Sequence, residues 1–270
     1  MIRVFPRKTN ASPNDDESFY GLPPVRSDFY PTAMISCTFT YDRTNAEWLA
    51  KKWEEAGYNA VLGGPAYGSK TGYFVPGRYL KPGLVITSRG CNNNCWFCSV
   101  PKQEGPIRPI TITWGWNVLD SNLLQCPEWH VRKVFEMLKK QVKRPVFTGG
   151  LEAILLKEWH IELLVGANTE RVYFAYDEED DYEPLVVAAK KMRAAGFKYQ
   201  RMSCYVLIGY PRDTISKAEE RLNQVVKLGI MPFAMLWRND KGDTKREWRK
   251  FQRHWAAPAA VGTKMKAAGW

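Results

Sequence analysis

The chain reads as an α/β protein, an open (β/α)6 partial TIM barrel with a small N-terminal β-α-β appendage. From residue 83 onward, six short apolar runs suited to strands alternate with amphipathic stretches suited to helices. Such a series folds as a parallel sheet with helices packed on it. Short connections and right-handed crossovers leave few other topologies, and a curled sheet is the simplest of them. A cluster of cysteines follows the first run, at the strand end where such sheets gather their active sites.

Residues 1–32 are rich in Pro, Asp, Ser and Asn and are expected as an extended arm that wraps the body. Residues 33–80 form the appendage. Met34-Ile35-Ser36-Cys37-Thr38-Phe39-Thr40 is strand-like, and 45–56 is helical, with Trp48, Leu49 and Trp53 on neighbouring turns and Gly57 as its stop. Asn59-Ala60-Val61-Leu62 then leads into Gly63-Gly64-Pro65. That turn lacks the G-x-G-x-x-G spacing of a dinucleotide site, so it reads as a plain turn.

Residues 81–240 are the main body. Strands are expected near 83–88, 116–120, 145–148, 171–176, 203–208 and 231–237, with helices over 127–142, 152–164, 182–195 and 215–228. Residues 241–270 are expected as a basic helical tail.

At 270 residues, 45% of them hydrophobic, the chain suits one large domain with a small addition. No run of eighteen apolar residues would span a membrane. The first residues lack a signal peptide's apolar core, so a cytoplasmic location is expected, the host cytoplasm if a phage encodes the chain. Thiols stay reduced there, and clustered cysteines favour metal over disulfide. The net charge of +11 is concentrated at 139–144 and 241–266. Two readings stay open: a solvated surface, or an anionic partner, nucleic acid first. Trp248, Phe251 and Trp255 follow i, i+3, i+7 spacing, which favours a packed helix face over a base-stacking platform.

Three of the six cysteines fall within eight residues, Cys91-Asn92-Asn93-Asn94-Cys95-Trp96-Phe97-Cys98. A structural zinc site needs a fourth ligand, and His130, Cys126 and Cys204 lie far off in sequence. Disulfide pairing would leave an odd thiol. A [4Fe-4S] cluster held at three corners, with its fourth iron open, fits best. Cys37, Cys126 and Cys204 are too dispersed for a second cluster and read as inert buried residues.

This C-x3-C-x2-C spacing, with aromatic Phe97 before the last cysteine, resembles the signature of radical S-adenosylmethionine (radical SAM) enzymes. The resemblance covers residues 83 to about 238. It implies that Cys91, Cys95 and Cys98 hold the cluster and that the open iron chelates SAM. It also implies an external electron donor of flavodoxin or ferredoxin type. Ile208, Gly209 and Tyr210, in Val206-Leu207-Ile208-Gly209-Tyr210-Pro211-Arg212-Asp213-Thr214, resemble the family's turn beside the adenine. Asp120, Ser121 and Asn122 end the second strand, where the family binds the methionine amino group. The usual Gly-Gly-Glu is absent there, and Gly149-Gly150-Leu151-Glu152 on the third strand leaves open which segment takes that role. Asp177 ends the fourth strand, at the place for the ribose hydroxyls, although a plain turn acid is an equal reading.

Glu152, Tyr176 and Arg238 are candidate substrate contacts; Arg238 suits a carboxylate or phosphate, and a plain surface arginine is an equal reading. The appendage is similar to the end of a cobalamin domain, but it is too short for a corrin and lacks D-x-H-x-x-G, so no cobalamin is expected. The layout also resembles short radical SAM proteins of bacteriophages, some linked to hypermodified thymine in DNA. That implies rearrangement of a modified nucleic acid base. A small-molecule or peptide substrate, or a non-catalytic iron–sulfur electron-transfer or binding protein, are the alternatives.

Overall fold

The computed structural model describes residues 1–24, 32–68, 77–239 and 241–270. Strands β1 (Ile2–Phe5), β2 (Ser18–Tyr20), β3 (Thr32–Ser36) and β4 (Asn59–Gly63) form a sheet in the order β2-β1-β3-β4. Every pair in it is parallel. Helix α1 (Arg43–Glu55) joins β3 to β4, as the β-α-β expectation has it. The first residues do otherwise than expected. Instead of an arm they supply β1 and β2, because Ile2 and Val4 bury fully against Ala33, Ile35, Leu49 and Trp53 in one core. The Trp53 indole also donates to the Gly21 carbonyl at 3.0 Å. Of the expected arm, 25–31 lie outside the described residues, as do 69–76 of the expected appendage.

The main body begins with β5 (Leu84–Val85) and β6 (Ser88–Arg89), followed by α2 (Val100–Glu104) and β7 (Arg108–Pro109). Then come β8 (Asn117–Val118), α3 (Glu128–Lys139), β9 (Val146–Phe147), α4 (Glu158–Gly166) and β10 (Arg171–Tyr176). The series ends with α5 (Tyr182–Ala194), β11 (Met202–Ile208), α6 (Ile215–Lys227), β12 (Met231–Leu236), α7 (Arg246–Ala256) and α8 (Pro258–Ala267). A six-stranded sheet runs β12-β11-β10-β9-β8-β5, so each strand lies beside its neighbour in the chain. All its pairs are parallel. With right-handed crossovers, a sheet wound in one direction carries its helices on one side. In keeping with this, α3 packs on α4 and α4 on α5.

The long helices of the main body are the expected ones with one change, and the short α2 comes in addition. The sequence predicts a single helix over 152–164, but a short turn at Ala153–Leu155 comes first and α4 starts at Glu158. Lys157 is extended there, and its N–H is taken by the His160 ring at 3.0 Å. In α3, Val131, Val134, Phe135 and Leu138 bury on one stripe. Thr214 caps α6 by accepting the Lys217 N–H at 3.2 Å.

The tail is part of the body. Trp248, Trp255, Val261 and Met265 join the main core, which bears out the packed-face reading of the aromatic spacing. Among the described residues, no helix is long and apolar enough to cross a membrane.

Candidate functional site

The cysteine loop is pinned at its base. Strands β6 and β7 pair antiparallel, Ser88 with Pro109 and Arg89 with Arg108, which closes residues 90–107 into one loop. Arg89 pairs with Glu104 at 2.6 Å, and the other Glu104 oxygen takes the Gly90 N–H at 3.0 Å. Gly90 sits at φ +85°, and a Cβ there would lie 2.2 Å from the Pro106 carbonyl oxygen, so glycine is required where the two arms cross.

Asp120 braces the same base. Its carboxylate accepts the Thr87 N–H, the Thr87 hydroxyl and the Ser88 hydroxyl, each at 2.6 Å. Both oxygens are engaged and the residue is buried, so it holds the loop's entry rather than offering the cofactor contact expected of it. Ser121 beside it is exposed. Gly149 also has a packing reason: a Cβ would lie 2.2 Å from the Asp120 carbonyl oxygen. Gly149 thus lets the end of β9 pass close to the end of β8, while Gly150 takes a positive φ of 94°.

Asn122 and Glu152 do meet at the loop. The Asn122 amide donates to Glu152 at 2.6 Å and lies 3.8 Å from the Cys91 sulfur. Asn93 and Gln125 donate to the same carboxylate at 3.0 and 3.2 Å, and Gln125 also donates to Asn93 at 2.8 Å. Three side-chain amides therefore converge on one carboxylate beside Cys91. The Asn122 side-chain oxygen Oδ1 is buried without a hydrogen-bond partner, an arrangement that needs a donor. Asn93 and Gln125 are contributors that sequence reasoning missed. The asparagine run inside the cysteine spacing was a signal for the first, whereas Gln125, on a short turn after Asn122, had none.

From its base the loop reaches the ends of β10 and β11. The Trp96 indole donates to Glu178 at 2.8 Å, and its ring meets Tyr210 edge-on at 5.6 Å and Phe97 edge-on at 5.4 Å. Trp96, Tyr176, Tyr182 and Tyr210 wall a cleft of about 640 Å³ with Arg212 and Glu220. Tyr176 gives its hydroxyl to Gln224 at 2.7 Å. The turn after β11 is held by Asp213, which takes the Gly209 N–H at 2.8 Å and pairs with buried Arg221 at 2.9 Å. Ile208 is buried in the core and faces no cleft. Arg238 lies apart, exposed, over the Tyr41 ring at 5.8 Å.

Burial first, then Cys98 and Cys91, push the Cys95 thiol up to about 11, and Asp177 and Glu178 add to the effect. Burial also raises Cys98, with Cys91 and Asp177 acting in the same direction. Asp177 is itself raised to about 7 by burial and then by Asp181. As bare thiols these groups resist ionisation. A bound cation reverses that balance, since the thiolate is the ligand form. Three soft sulfur donors suit an iron–sulfur cluster better than an oxygen-seeking ion. Among the described residues no three His, Cys, Asp or Glu side chains stand close enough to hold a metal ion as they are. No protein-family model matches the chain, and no curated protein matches it.

Proposed function

We propose that this chain is a radical SAM enzyme whose six-stranded sheet curls into the family's open (β/α)6 partial barrel. The observation that carries the reading is a C-x3-C-x2-C loop that leaves the β6–β7 pair just past the first strand of a sequentially ordered parallel sheet and reaches the ends of its fourth and fifth strands. That reach supports the curl, since it draws distant strand ends under one loop. Cys91, Cys95 and Cys98 would hold a [4Fe-4S] cluster. When bound, the cluster supplies one electron to cleave SAM into methionine and a 5′-deoxyadenosyl radical that takes hydrogen from a substrate.

The chain's own residues orient and shield. The Glu152 carboxylate and the unpartnered Asn122 oxygen offer acceptors for an amino group beside Cys91, which the absent Gly-Gly-Glu would otherwise provide. Asn93 and Gln125 keep that carboxylate aimed. Gly209 and Tyr210 present a backbone turn and a ring beside Trp96, suited to a flat heterocycle. Asp177, half-buried at the end of β10, is the candidate for ribose hydroxyls.

Anaerobic reconstitution with iron, sulfide and SAM, followed by measurement of 5′-deoxyadenosine, tests the reading. Product and about four irons per chain are expected. Cys91→Ala, Cys95→Ala and Cys98→Ala should each lose the iron, and full iron content in all three would sink the assignment. Glu152→Gln should keep the cluster and weaken SAM binding about tenfold or more, as expected when a charge-assisted hydrogen bond is lost.

A further inference from the structure

Helix α7 is built with two unlike faces. Trp248 and Trp255 are buried against the body, and Gln252 donates to the Ala234 carbonyl at 3.1 Å. On the outer face Arg246, Arg249, Lys250 and Arg253 are all exposed. Their i, i+3, i+4, i+7 spacing puts four cations on one stripe, and none of them enters an ion pair among the described residues. On the buried face opposite the stripe, the Trp248 ring lies against Gly209, which seats α7 behind the turn that carries Tyr210. Arg238, also exposed, lies on the segment that leads from β12 to α7.

A pair of rings adjoins this segment. Phe39 and Tyr41 stack at 5.1 Å with their planes 5° apart, and Phe39 is exposed. Tyr41 contacts Gly242 just ahead of α7 and carries Arg238 over its ring. A flat ring pair at the start of an unpaired cationic stripe combines the two elements that hold unpaired nucleotides, a basic track for the phosphates and a stacking platform for a base.

We infer that the α7 stripe and the Phe39–Tyr41 pair form a binding surface for single-stranded nucleic acid, which brings a strand to the mouth of the candidate site. The substrate of the proposed reaction is then a nucleobase. That step rests on the radical SAM reading, whereas the binding itself does not. An acidic protein such as an electron donor would use the charges but has no need of the stacked rings.

The test is fluorescence anisotropy of the full-length protein with a labelled single-stranded DNA of about 20 nucleotides. With four cations neutralising phosphates, binding should weaken about 50-fold between about 50 and 200 mM salt, a log–log slope near −2.8. The triple variant Arg249→Gln, Lys250→Gln, Arg253→Gln should flatten the slope by about 2. Phe39→Ala should weaken binding about tenfold with the slope unchanged. All four positions are exposed, and an unchanged thermal melt establishes that the variants fold.

Equal affinity and slope in wild type and the triple variant would overturn the inference. So would a triple variant that binds DNA normally but is no longer reduced by a flavodoxin-type donor, because the stripe would then dock an acidic protein. Iron content and 5′-deoxyadenosine formation, measured on the same samples, keep the two readings apart. Oligonucleotide binding without 5′-deoxyadenosine refutes the enzyme and supports the surface, and the converse does the reverse.

Discussion

The two faces of the six-stranded sheet carry similar apolar residues and meet different surroundings. On the face toward the helices, Val172, Phe174, Cys204, Val206, Ile208 and Ala234 are fully buried. On the other face, the intervening residues of the same strands include Tyr173, Ala175, Tyr205, Phe233 and Met235. Phe233 and Met235 are each 41% exposed, and Ala175 is open as well. Side chains alternate along a strand, so both sets come from the same backbone. A parallel sheet covered on both faces buries both sets. Here one set makes the core with α5 and α6, and the other, in which Ser203 and Leu207 are buried, leaves an apolar surface open around Ala175, Phe233 and Met235. An exposed apolar patch of this kind marks a place where something binds.

The largest expected effect tests that division directly. Phe174→Ala should cost about 3–5 kcal/mol of stability, because it leaves a cavity in a closed core. Phe233→Ala should cost about 1 kcal/mol or less, since its ring is partly solvated and keeps one edge-on contact with Tyr205 at 5.6 Å. Urea unfolding of both variants measures the difference. Equal losses would mean that the open face is core, and the comparison would fail.

The covered face was also the legible one. All six strands of the main sheet lie where short apolar runs predicted them, because a strand buried in a parallel sheet must be apolar to bury. Strands β1 and β2 are not legible because they are only four and three residues long within a region rich in Pro, Asp and Ser, and it is pairing with β3, and of β2 with β1, that makes them strands. The site was legible in part. The cysteine spacing is local and is written in eight residues. The meeting of Asn93, Asn122, Gln125 and Glu152 is not, since it depends on how three separate strand ends come together. Asp120 and Gly149 show the converse problem. Their positions at strand ends suit ligand binding and close packing equally, and only the hydrogen bonds to Thr87 and Ser88 and the missing room for a Cβ separate the two.

A second way to sharpen the comparison uses pH. His160, on α4 in the helix layer, is buried. Burial first, then the Lys157 charge, lowers its pKa to about 4. Its ring must stay neutral to accept the Lys157 N–H. The unfolded chain takes up a proton near 6.5 and the folded chain only near 4, so stability is full above about pH 6.5 and falls as pH drops toward 4. The loss should reach about 3 kcal/mol. Asp177, raised to about 7, pulls the opposite way, with stability gained as pH falls from about 7 to 4. His160→Asn keeps an acceptor without the titration, so the difference between wild type and variant isolates the histidine. Parallel stability curves for the two proteins from pH 4 to 7 would rule out this origin of acid lability in the covered layer.

The smallest expected effect lies on the open face. The Tyr205 hydroxyl donates to the Thr148 carbonyl at 3.0 Å, and its ring stacks on Tyr173 at 4.9 Å. Tyr205→Phe removes the first contact and keeps the second. Tyr205 is only half-buried, so water can replace the lost donor at the Thr148 oxygen. A hydrogen bond in such a place contributes about 0.5–1.5 kcal/mol, and the lower end is expected here. If this face is shaped for a ligand, the variant should unfold almost as the wild type does, and its defect should appear in ligand binding, with SAM, the cofactor proposed above, as the first probe. A loss above about 2 kcal/mol would show that the hydroxyl helps hold β9 to β11 as closely as the buried side does, and the open face would then be part of the structural core.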